Sequence, residues 1–437
     1  MSGNQVWDSD VRQPDMRPVV RIFGCLFAAV LSALALCSPA AAAKLEVLHE
    51  FTGPDGTDPQ GGLTLDPDTG TLYATAIYGG AGYGTVFSMT PPAPGKNRWK
   101  FKVIYTFKGG LDGSQPTNGL LFLSDDTGLH LIGTTLRGSS LCDCGTIFEL
   151  DDVSGDWEKI ASHQFQGDTY DGGIPNSTPV FDPKTKSVFG TTGTSGNDSG
   201  TVYGLDPANF DFTVIYNPAQ NIGTPVGTSP FGVAVDSDDG LLLGTAFRSD
   251  YAGTIFLMDF QGEGKILHEF KGPPDGAYPG APPTMDANGT LYGSTFAGGH
   301  PKACPNSPGC GIIWKKPPSS REKVLHSMAF YSHPRDGQSP ISPLVLDAET
   351  GTLYGTTFYG GTGTTCGGDN GSCGTIFRVD GQGKYETLWE FPKGGPAAPQ
   401  GQLVFDDGVL YGSSYDGGTS CPDRNYIGCG TVWKLTP

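Results

Sequence analysis

Short apolar runs alternate with glycine-rich turns along the chain, and one such pattern recurs seven times. Residues 351–379 are typical, with an apolar strand, a glycine-rich hairpin and a second apolar strand, which we name strands B and C. Strand B is predicted at residues 72–76, 131–135, 188–192, 242–246, 291–295, 353–357 and 410–414. Strand C opens at Gly84, Gly145, Gly200, Gly253, Gly311, Gly374 and Gly430.

Two more strands complete each repeat. Strand A precedes strand B across a turn rich in Asp and Gly, a composition typical of hairpins. It is predicted at residues 62–66, 119–123, 179–182, 232–236, 283–286, 343–347 and 402–406. Strand D follows strand C at residues 103–107, 160–165, 213–216, 266–270, 324–328 and 387–391, and a further D strand stands first, at 47–51.

Strand C carries apolar side chains at neighbouring positions, as in Val86-Phe87 and Val432-Trp433. A sheet with one wet face would alternate instead, so each sheet is expected to be covered on both faces. Sheets stacked in a closed circle form a β-propeller, whereas a linear stack forms a solenoid with two end faces. The repeats begin with a lone D strand and end with A, B and C. We therefore predict an all-β, seven-bladed β-propeller of four-stranded antiparallel blades, closed by the N-terminal strand completing the C-terminal blade.

Residues 1–43 have the pattern of an export signal. Two arginines precede the apolar run 22–37, and an Ala-x-Ala site stands before Lys44. An apolar run of this length is short for a membrane span, although an uncleaved anchor helix is an alternative. Met16 is an alternative start. We predict one propeller domain over residues 44–437.

The formal net charge is −18. A surface of this sign repels the phosphates of nucleic acids and anionic lipids. No later apolar run is long enough to span a membrane. We expect a monomer, secreted or periplasmic, without a nucleic-acid partner.

The repeat has a characteristic order of motifs: Leu-Tyr-Gly-Thr-Thr, Gly-Gly, Gly-Thr-Ile-Phe and a Val-Leu-His-Glu-Phe strand. It resembles the GloVer-type tandem repeat of exported bacterial proteins, also called choice-of-anchor repeat proteins, over nearly all of residues 45–437. The resemblance implies an extracellular repeat architecture and no particular chemistry. Members often carry a C-terminal anchoring segment, which this sequence does not show, so a released or periplasmic protein is expected.

Eight cysteines follow the signal, and four of them immediately precede a strand C glycine. In an exported protein such cysteines are expected to form disulfides. Three pairs are predicted across the B–C hairpins: Cys304 with Cys310, Cys366 with Cys373, and Cys421 with Cys429. Cys142 and Cys144 leave two interpretations open, a disulfide between residues two apart or a redox or metal-binding thiol pair. Zinc needs four converging ligands, which pairs on separate blades do not offer.

The connections from strand D to strand A carry a second motif, Asp-Gly-x-x-Pro. Its acidic residues are Asp55, Asp112, Asp171, Asp275 and Asp336. Asp-Gly before Pro is typical of a structural turn. Calcium is the alternative, although it requires six to eight oxygen ligands and neighbouring blades hold these residues apart.

Four histidines occupy one repeat position in strand D, at His49, His163, His268 and His326. Tyr105, Tyr216 and Trp389 fill the same position elsewhere. We interpret the position as a packing site for flat rings.

The position just after strand B varies more than a symmetric scaffold requires. Its aromatic and charged members are Tyr78, Arg137, Arg248, Tyr359 and Asp416. Aromatic and arginine side chains are enriched at binding surfaces, so these residues are predicted to form a ligand-binding surface, with surface drift as the alternative.

The sequence contains neither Gly-x-Ser-x-Gly nor His-Glu-x-x-His, and it identifies no catalytic residue. We predict a binding module for a carbohydrate or an extracellular protein. Two alternatives stay open: a propeller enzyme acting on polysaccharide, as a hydrolase or lyase, through paired carboxylates, and a purely structural envelope protein.

Overall fold

The structure is a computed structural model of the whole chain. It describes residues 43–140, 142–167, 171–194, 200–218, 226–248, 251–304, 308–329, 336–361, 373–393, 395–418, 421 and 428–437. The predicted export signal therefore lies, except for Ala43, outside the described residues.

The described chain is built from β-strands, with a single 3-10 turn at Gly110–Asp112. The strands of the first half are β1 (Lys44–Glu50), β2 (Thr64–Leu65), β3 (Leu72–Ala76), β4 (Thr85–Thr90), β5 (Lys100–Thr106), β6 (Leu121–Asp125), β7 (Gly128–Thr135), β8 (Thr146–Val153), β9 (Asp156–Gln164), β10 (Gly173–Pro175), β11 (Val180–Asp182), β12 (Ser187–Thr194), β13 (Val202–Asp206), β14 (Asp211–Tyr216), β15 (Ser229–Asp236), β16 (Leu241–Arg248) and β17 (Tyr251–Asp259). The remainder are β18 (Gly264–Glu269), β19 (Gly276–Ala277), β20 (Thr284–Met285), β21 (Leu291–Thr295), β22 (Ala297–Gly298), β23 (Ile312–Lys316), β24 (Lys323–Ser327), β25 (Gly337–Gln338), β26 (Val345–Asp347), β27 (Thr352–Thr357), β28 (Tyr359–Gly360), β29 (Thr375–Val379), β30 (Tyr385–Glu390), β31 (Val404–Asp406), β32 (Val409–Ser414) and β33 (Thr431–Thr436).

These strands form seven antiparallel blades. Each has the predicted order A, B, C, D: β2-β3-β4-β5, β6-β7-β8-β9, β11-β12-β13-β14, β15-β16-β17-β18, β20-β21-β23-β24, β26-β27-β29-β30 and β31-β32-β33-β1. We number them blades 1 to 7. In blade 7 the N-terminal strand pairs with the C-terminal strand, Lys44 opposite Thr436 and Glu50 opposite Thr431. The fold prediction is confirmed, including closure of the ring by the N-terminal strand.

The core lies between neighbouring sheets. Tyr73 of blade 1 packs in one cluster with Phe148 and Leu150 of blade 2, and Phe189 of blade 3 packs with Phe256 of blade 4. Strand C side chains on both faces are buried for this reason, as the neighbouring apolar positions predicted.

A glycine in strand B makes room for the large aromatic residue of strand C. Gly355 lies opposite Phe377 in the sheet, and a Cβ at Gly355 would lie 2.6 Å from the ring carbon Cζ of Phe377. The glycine of the Leu-Tyr-Gly-Thr-Thr motif is therefore explained by this close approach.

The disulfide predictions are confirmed where both cysteines are described. Cys142–Cys144, Cys304–Cys310 and Cys421–Cys429 are bonded. Cys373 is also disulfide-bonded, whereas its predicted partner Cys366 lies outside the described residues. In the described part of the chain, no helix is both long and apolar enough to cross a membrane.

Candidate ligand-binding site

A cavity of about 700 Å³ lies where all seven blades meet. Its walls are mostly the residues that follow the proline of the D–A connections. The segments involved are 60–62, 117–119, 176–178, 231, 280–282, 341–343 and 400–402. One blade contributes each segment, so the cavity lies along the ring axis, in the central channel of the propeller.

Hydroxyl groups of strand B fix the backbone of these walls. Thr75 Oγ1 of blade 1 donates to the carbonyl of Asn118 in blade 2 at 3.0 Å, and Thr245 Oγ1 of blade 4 donates to that of Ala281 in blade 5 at 2.9 Å. Ser413 closes the ring by donating to the carbonyl of Gly61 at 3.5 Å. The threonine or serine at the fourth position of the strand B motif thus ties each of these cavity walls to the neighbouring blade.

Four aromatic side chains of blades 4 and 5 line one side of the cavity: Phe231, Phe247, Tyr278 and Phe296. The ring centroids of Phe231 and Phe247 are 5.3 Å apart, and those of Phe247 and Tyr278 are 6.2 Å apart. Tyr278 and Phe296 are 48% and 42% exposed. They present an apolar surface to whatever enters the cavity.

A hydrogen bond to the neighbouring blade holds Tyr278. Its backbone takes a left-handed φ of 61°, which is uncommon for a residue other than glycine. Its amide donates to the carbonyl of Ala252 at 2.6 Å, and its carbonyl accepts from the amide of Phe296 at 2.9 Å. These bonds join two of the cavity aromatics to one another.

Amide side chains line the cavity from blades 7, 1, 2 and 3. Gln60 Nε2 donates to Gln400 Oε1 at 2.6 Å. Asn118 Nδ2 donates to Thr134 Oγ1 at 3.0 Å, and Asn176 Nδ2 donates to the carbonyl of Pro230 at 3.0 Å. Among the described residues, no protein group bonds to Gln60 Oε1 or Gln400 Nε2, so one acceptor and one donor are available to a ligand.

The described residues that line the cavity include no Asp, Glu, Lys, Arg or His. A pocket with apolar walls and a few fixed polar groups is the usual form of a small-ligand site. Without charged groups, it suits a neutral ligand.

The residues predicted from the variable position after strand B lie elsewhere. Tyr78 and Arg137 bridge through their backbones to Thr57 and Ser114 of the D–A connections. In the same way Tyr359 pairs with Gln338, and Asp416 with Ala397.

None of these four residues lines the cavity. Arg248 ends strand β16, and its side chain lies outside the described part. A binding role for the five residues stays a prediction.

Three residues that line the cavity lie one position before the repeat position that the sequence interpretation selected. Leu136, Phe247 and Phe296, each the residue immediately before the predicted position, do line it. A signal was present in the residue after the motif proline, which reads Gln60, Thr117, Asn176, Phe231, Gly280, Ile341 and Gln400. A purely structural turn would not require such different residue types at this position, so the variation indicates a surface that contacts a ligand.

The motif aspartates bond to the strand D position that holds a histidine, tyrosine or tryptophan, which we name the ring position. The Nε2 atoms of His49, His163, His268 and His326 lie 3.0, 3.1, 3.2 and 3.1 Å from an oxygen of Asp55, Asp171, Asp275 and Asp336. In blade 1, Tyr105 donates to Asp112 at 2.7 Å. The sequence interpretation assigned the aspartates to turns and the rings to packing sites, and it did not foresee that the two residue types meet.

Four of these aspartates, at positions 55, 112, 171 and 275, also accept a hydrogen bond from a backbone amide of their own turn. The amide of Thr52 donates to Asp55 Oδ1 at 2.8 Å, and the amide of Lys108 donates to Asp112 Oδ2 at 2.8 Å. Burial alone would raise the pKa of Asp55, but hydrogen bonds from His49 and Thr52 outweigh it and lower that pKa. The structure places the five aspartates in five separate connections, and calcium binding by them stays untested.

A closed ring of seven four-stranded blades around one cavity defines a β-propeller protein. Its sequence matches the model of the Gloeobacter/Verrucomicrobia repeat three times, at residues 37–251, 82–304 and 229–437. The chain belongs to this repeat family, as the order of its motifs predicted. Among curated proteins, none matches the chain in sequence.

Solved structures show the same fold at low identity. Hydrazine synthase of Kuenenia stuttgartiensis is 13% identical, with a TM-score of 0.52 over 85% of this chain and 96% of that one. The extracellular domain of a protein assigned as a hybrid two-component system from B. thetaiotaomicron is 12% identical, with a TM-score of 0.52 over 89% of this chain and 42% of that one. A luciferin-regenerating enzyme is 14% identical, with a TM-score of 0.44 over 91% of this chain and 96% of that one. The first two of these structures, with TM-scores of 0.52, show the fold alone at identities this low.

Proposed function

We propose that the protein is a binding module that takes a neutral, carbohydrate-like ligand into its central cavity. One observation carries this proposal: the cavity has an aromatic side and an amide side and no charged residue among its described lining. Sugar rings have apolar faces and hydroxyl edges. Aromatic side chains such as Phe296 cover the former, and amides such as Gln400 bond to the latter.

The same observation separates binding from glycoside cleavage. Hydrolysis of a glycosidic bond generally uses two carboxyl groups about 5–10 Å apart around the bond. The described residues of the cavity supply no such pair. Binding without cleavage is therefore the favoured activity.

We also propose that the protein works outside the cytoplasm. Disulfides persist in oxidising compartments and are rare in the cytosol of most cells. The bonded pairs in the B–C hairpins support this location, as do the basic and apolar segments of residues 1–43.

A glycan array probed with the purified protein tests the binding proposal, followed by titration calorimetry on any ligand found. Phe296→Ala and Gln400→Ala change the two sides of the cavity and are expected to weaken binding by roughly tenfold or more each, since each removes about 1–2 kcal/mol of contact. Tyr359→Ala is the matched variant outside the cavity and is expected to bind like the wild type.

The possible results separate the three functions. Binding that depends on Tyr359 and not on Phe296 overturns the cavity in favour of the surface after strand B. A ligand that is cut during incubation shows an enzyme. The absence of any glycan ligand overturns the proposal and leaves a protein partner or a structural role.

A further inference from the structure

The contact between blades 4 and 5 contains a carboxylate at a position where the other pairs of neighbouring blades have no acidic residue. We name each contact between neighbouring blades a joint. Glu322 stands immediately before strand β24 of blade 5 and faces His268 of blade 4, whose Nε2 lies 3.9 Å from Glu322 Oε2. The same His268 Nε2 lies 3.2 Å from Asp275 Oδ2. One potential ligand atom from each of the three residues lies within 4.8 Å of the others.

The residues equivalent to Glu322 in other joints show which contacts this position usually makes. It lies four residues before the ring position of strand D. In other joints an aromatic residue from this position stacks on the histidine of the preceding blade, with ring centroids 3.7 Å apart for His49 and Phe101 and 4.0 Å apart for His326 and Tyr385.

Between blades 1 and 2 the position holds Lys159. Its ammonium lies 2.6 Å from Asp112 Oδ1 and thereby places a cation beside the motif aspartate. Glu322 instead adds a second negative group beside Asp275.

Glu322 lacks the partners that a buried carboxylate needs. Its side chain is only 7% exposed, and its Oε1 has no hydrogen-bond partner among the residues that the structure describes. Burying an unpaired carboxylate is costly unless a cation or a donor compensates it. No lysine or arginine forms an ion pair with Glu322 among the described residues.

We propose that His268, Asp275 and Glu322 bind a divalent transition metal ion, with Zn²⁺ as the best match. A cation between the three ligand atoms would place a positive charge beside Asp275, as Lys159 places one beside Asp112. The metal links strand β18 of blade 4, the D–A connection and the entry to strand β24 of blade 5. It is thus a clamp between two neighbouring blades.

The ligand set selects the metal. An imidazole nitrogen with two carboxylate oxygens suits zinc, whereas calcium takes six to eight oxygens. Ligand atoms about 2.0–2.2 Å from a tetrahedral zinc lie roughly 3.3–3.6 Å from one another. The distances from His268 Nε2 to Asp275 Oδ2 and to Glu322 Oε2 are 3.2 and 3.9 Å, so a small movement of Glu322 would complete the site. His268 and Asp275 are 21% and 20% exposed, so the ion can enter from solvent and a water can take the fourth position.

Zinc titration of the purified, EDTA-stripped protein under non-reducing conditions tests the proposal, with a chelator competing for the ion. One tight site is expected in the wild type, together with a rise in its Tm on adding zinc. Glu322→Gln is expected to weaken that site by about 100-fold or more, because even the loss of an outer-shell partner costs roughly 10- to 100-fold. Glu322→Tyr repeats the test with a tyrosine, the residue found at the equivalent position of blade 6 as Tyr385. The fold already accommodates tyrosine there, so this variant is expected to fold.

Two matched variants locate the site. Asp336→Asn removes the equivalent aspartate in the next joint, where Tyr385 takes the place of a third ligand. Glu149→Gln changes the other group of His and acidic residues, which comprises His130, Glu149 and Asp151. Both variants are expected to keep the tight zinc site. Zinc binding that survives both changes at Glu322, that is lost in Glu149→Gln, or that is absent from the wild type overturns the proposal.

Discussion

Glu149 in strand β8 has a buried carboxyl group that belongs to a cluster of His130 and three acidic residues. It is 5% exposed. His130 Nδ1 lies 3.3 Å from Glu149 Oε1 and 2.7 Å from Asp151 Oδ1, and His130 Nε2 lies 3.2 Å from Asp125 Oδ1. Burial and the neighbouring Asp151 raise the pKa of Glu149 to about 7. One imidazole therefore faces three carboxyl groups whose charges it cannot all balance.

This arrangement predicts a fall in stability as pH rises. Below the unfolded pKa of Glu149, 4.5, the carboxyl group is protonated in both states and costs nothing. Between that pH and about 7 the unfolded chain loses the proton first, so the free energy of unfolding falls, by about 3 kcal/mol for a shift of this size. Glu149→Gln removes the titration, and the decline of its unfolding free energy from pH 4.5 to 8, followed by urea denaturation, should be shallower than that of the wild type.

Asp125→Asn is the control for this measurement. Hydrogen bonds from Thr127 lower the pKa of the Asp125 carboxyl group to about 2, so it stays ionised across the same pH range. Its removal should leave the decline in place. A wild-type stability that is flat or rises from pH 4.5 to 8 contradicts the assignment of Glu149.

At the scale of the element, each blade depends on a close fit between strands B and C. Gly355 in strand β27 faces Phe377 in strand β29, and the aromatic ring occupies the space where a side chain would stand. Blade 1 shows the tolerance of this position, because Ala74 faces Phe87 there. The motif residue is therefore limited to glycine or, with adjustment, alanine.

Gly355→Val is predicted to lower the free energy of unfolding by about 1–3 kcal/mol, the usual cost of overpacking a core. Gly355→Ala should cost less, since blade 1 accommodates alanine. Thermal and urea denaturation measure both. Gly381→Ala is the control in the same blade, because the nearest atom to an added Cβ there is the hydroxyl of Tyr292 at 3.9 Å. Equal stability of Gly355→Val and Gly381→Ala contradicts the close-fit explanation.

A second feature of the element is a bulge in strand D. Strand β1 shifts register against strand β33 between Val47 and His49, and strand β18 shifts in the same way before His268. A bulge re-aims the side chain that follows it. Here it is followed by the ring that meets the motif aspartate, so the blade edge and the connection to the next blade are joined.

At the scale of the whole molecule, closure depends on strand β1. Leu48 and Phe51 pack into the cluster of blades 7 and 1, with Phe51 fully buried. Without this strand, blade 7 keeps only β31, β32 and β33, and the edge of β33 is unpaired. The N-terminal segment therefore holds the two ends of the ring together.

Deleting residues 44–51 should lower the free energy of unfolding by about 3 kcal/mol or more, from the lost burial of Leu48 and Phe51 alone. Differential scanning calorimetry measures the change. Moving the same residues behind Pro437 through a short turn is the control, because Lys44 already lies opposite Thr436. The relocated strand should restore most of the lost stability. A deletion that unfolds at the wild-type temperature contradicts closure by this strand.

The architecture of the protein follows from its sequence alone. Neighbouring apolar residues in strand C required sheets covered on both faces, and the lone D strand at the start supplied the strand missing at the end. Cysteines next to the strand C glycines predicted disulfides, which the structure confirms for the pairs at 304–310 and 421–429. Of the two interpretations of Cys142 and Cys144, the structure shows the disulfide. These features are local and repeated, so seven copies of the same signal support one another.

Which residues of different blades meet depends on the tertiary structure. Whether Phe296 or the neighbouring Ala297 faces the channel depends on how the strand end turns, and a displacement by one residue changes the surface on which a side chain lies. The cavity assembles one segment from each blade, far apart in sequence. The meeting of His268 with Asp275 and Glu322 depends in the same way on a bulge and on the packing of two blades. Such contacts are set by the closed ring and not by the repeat.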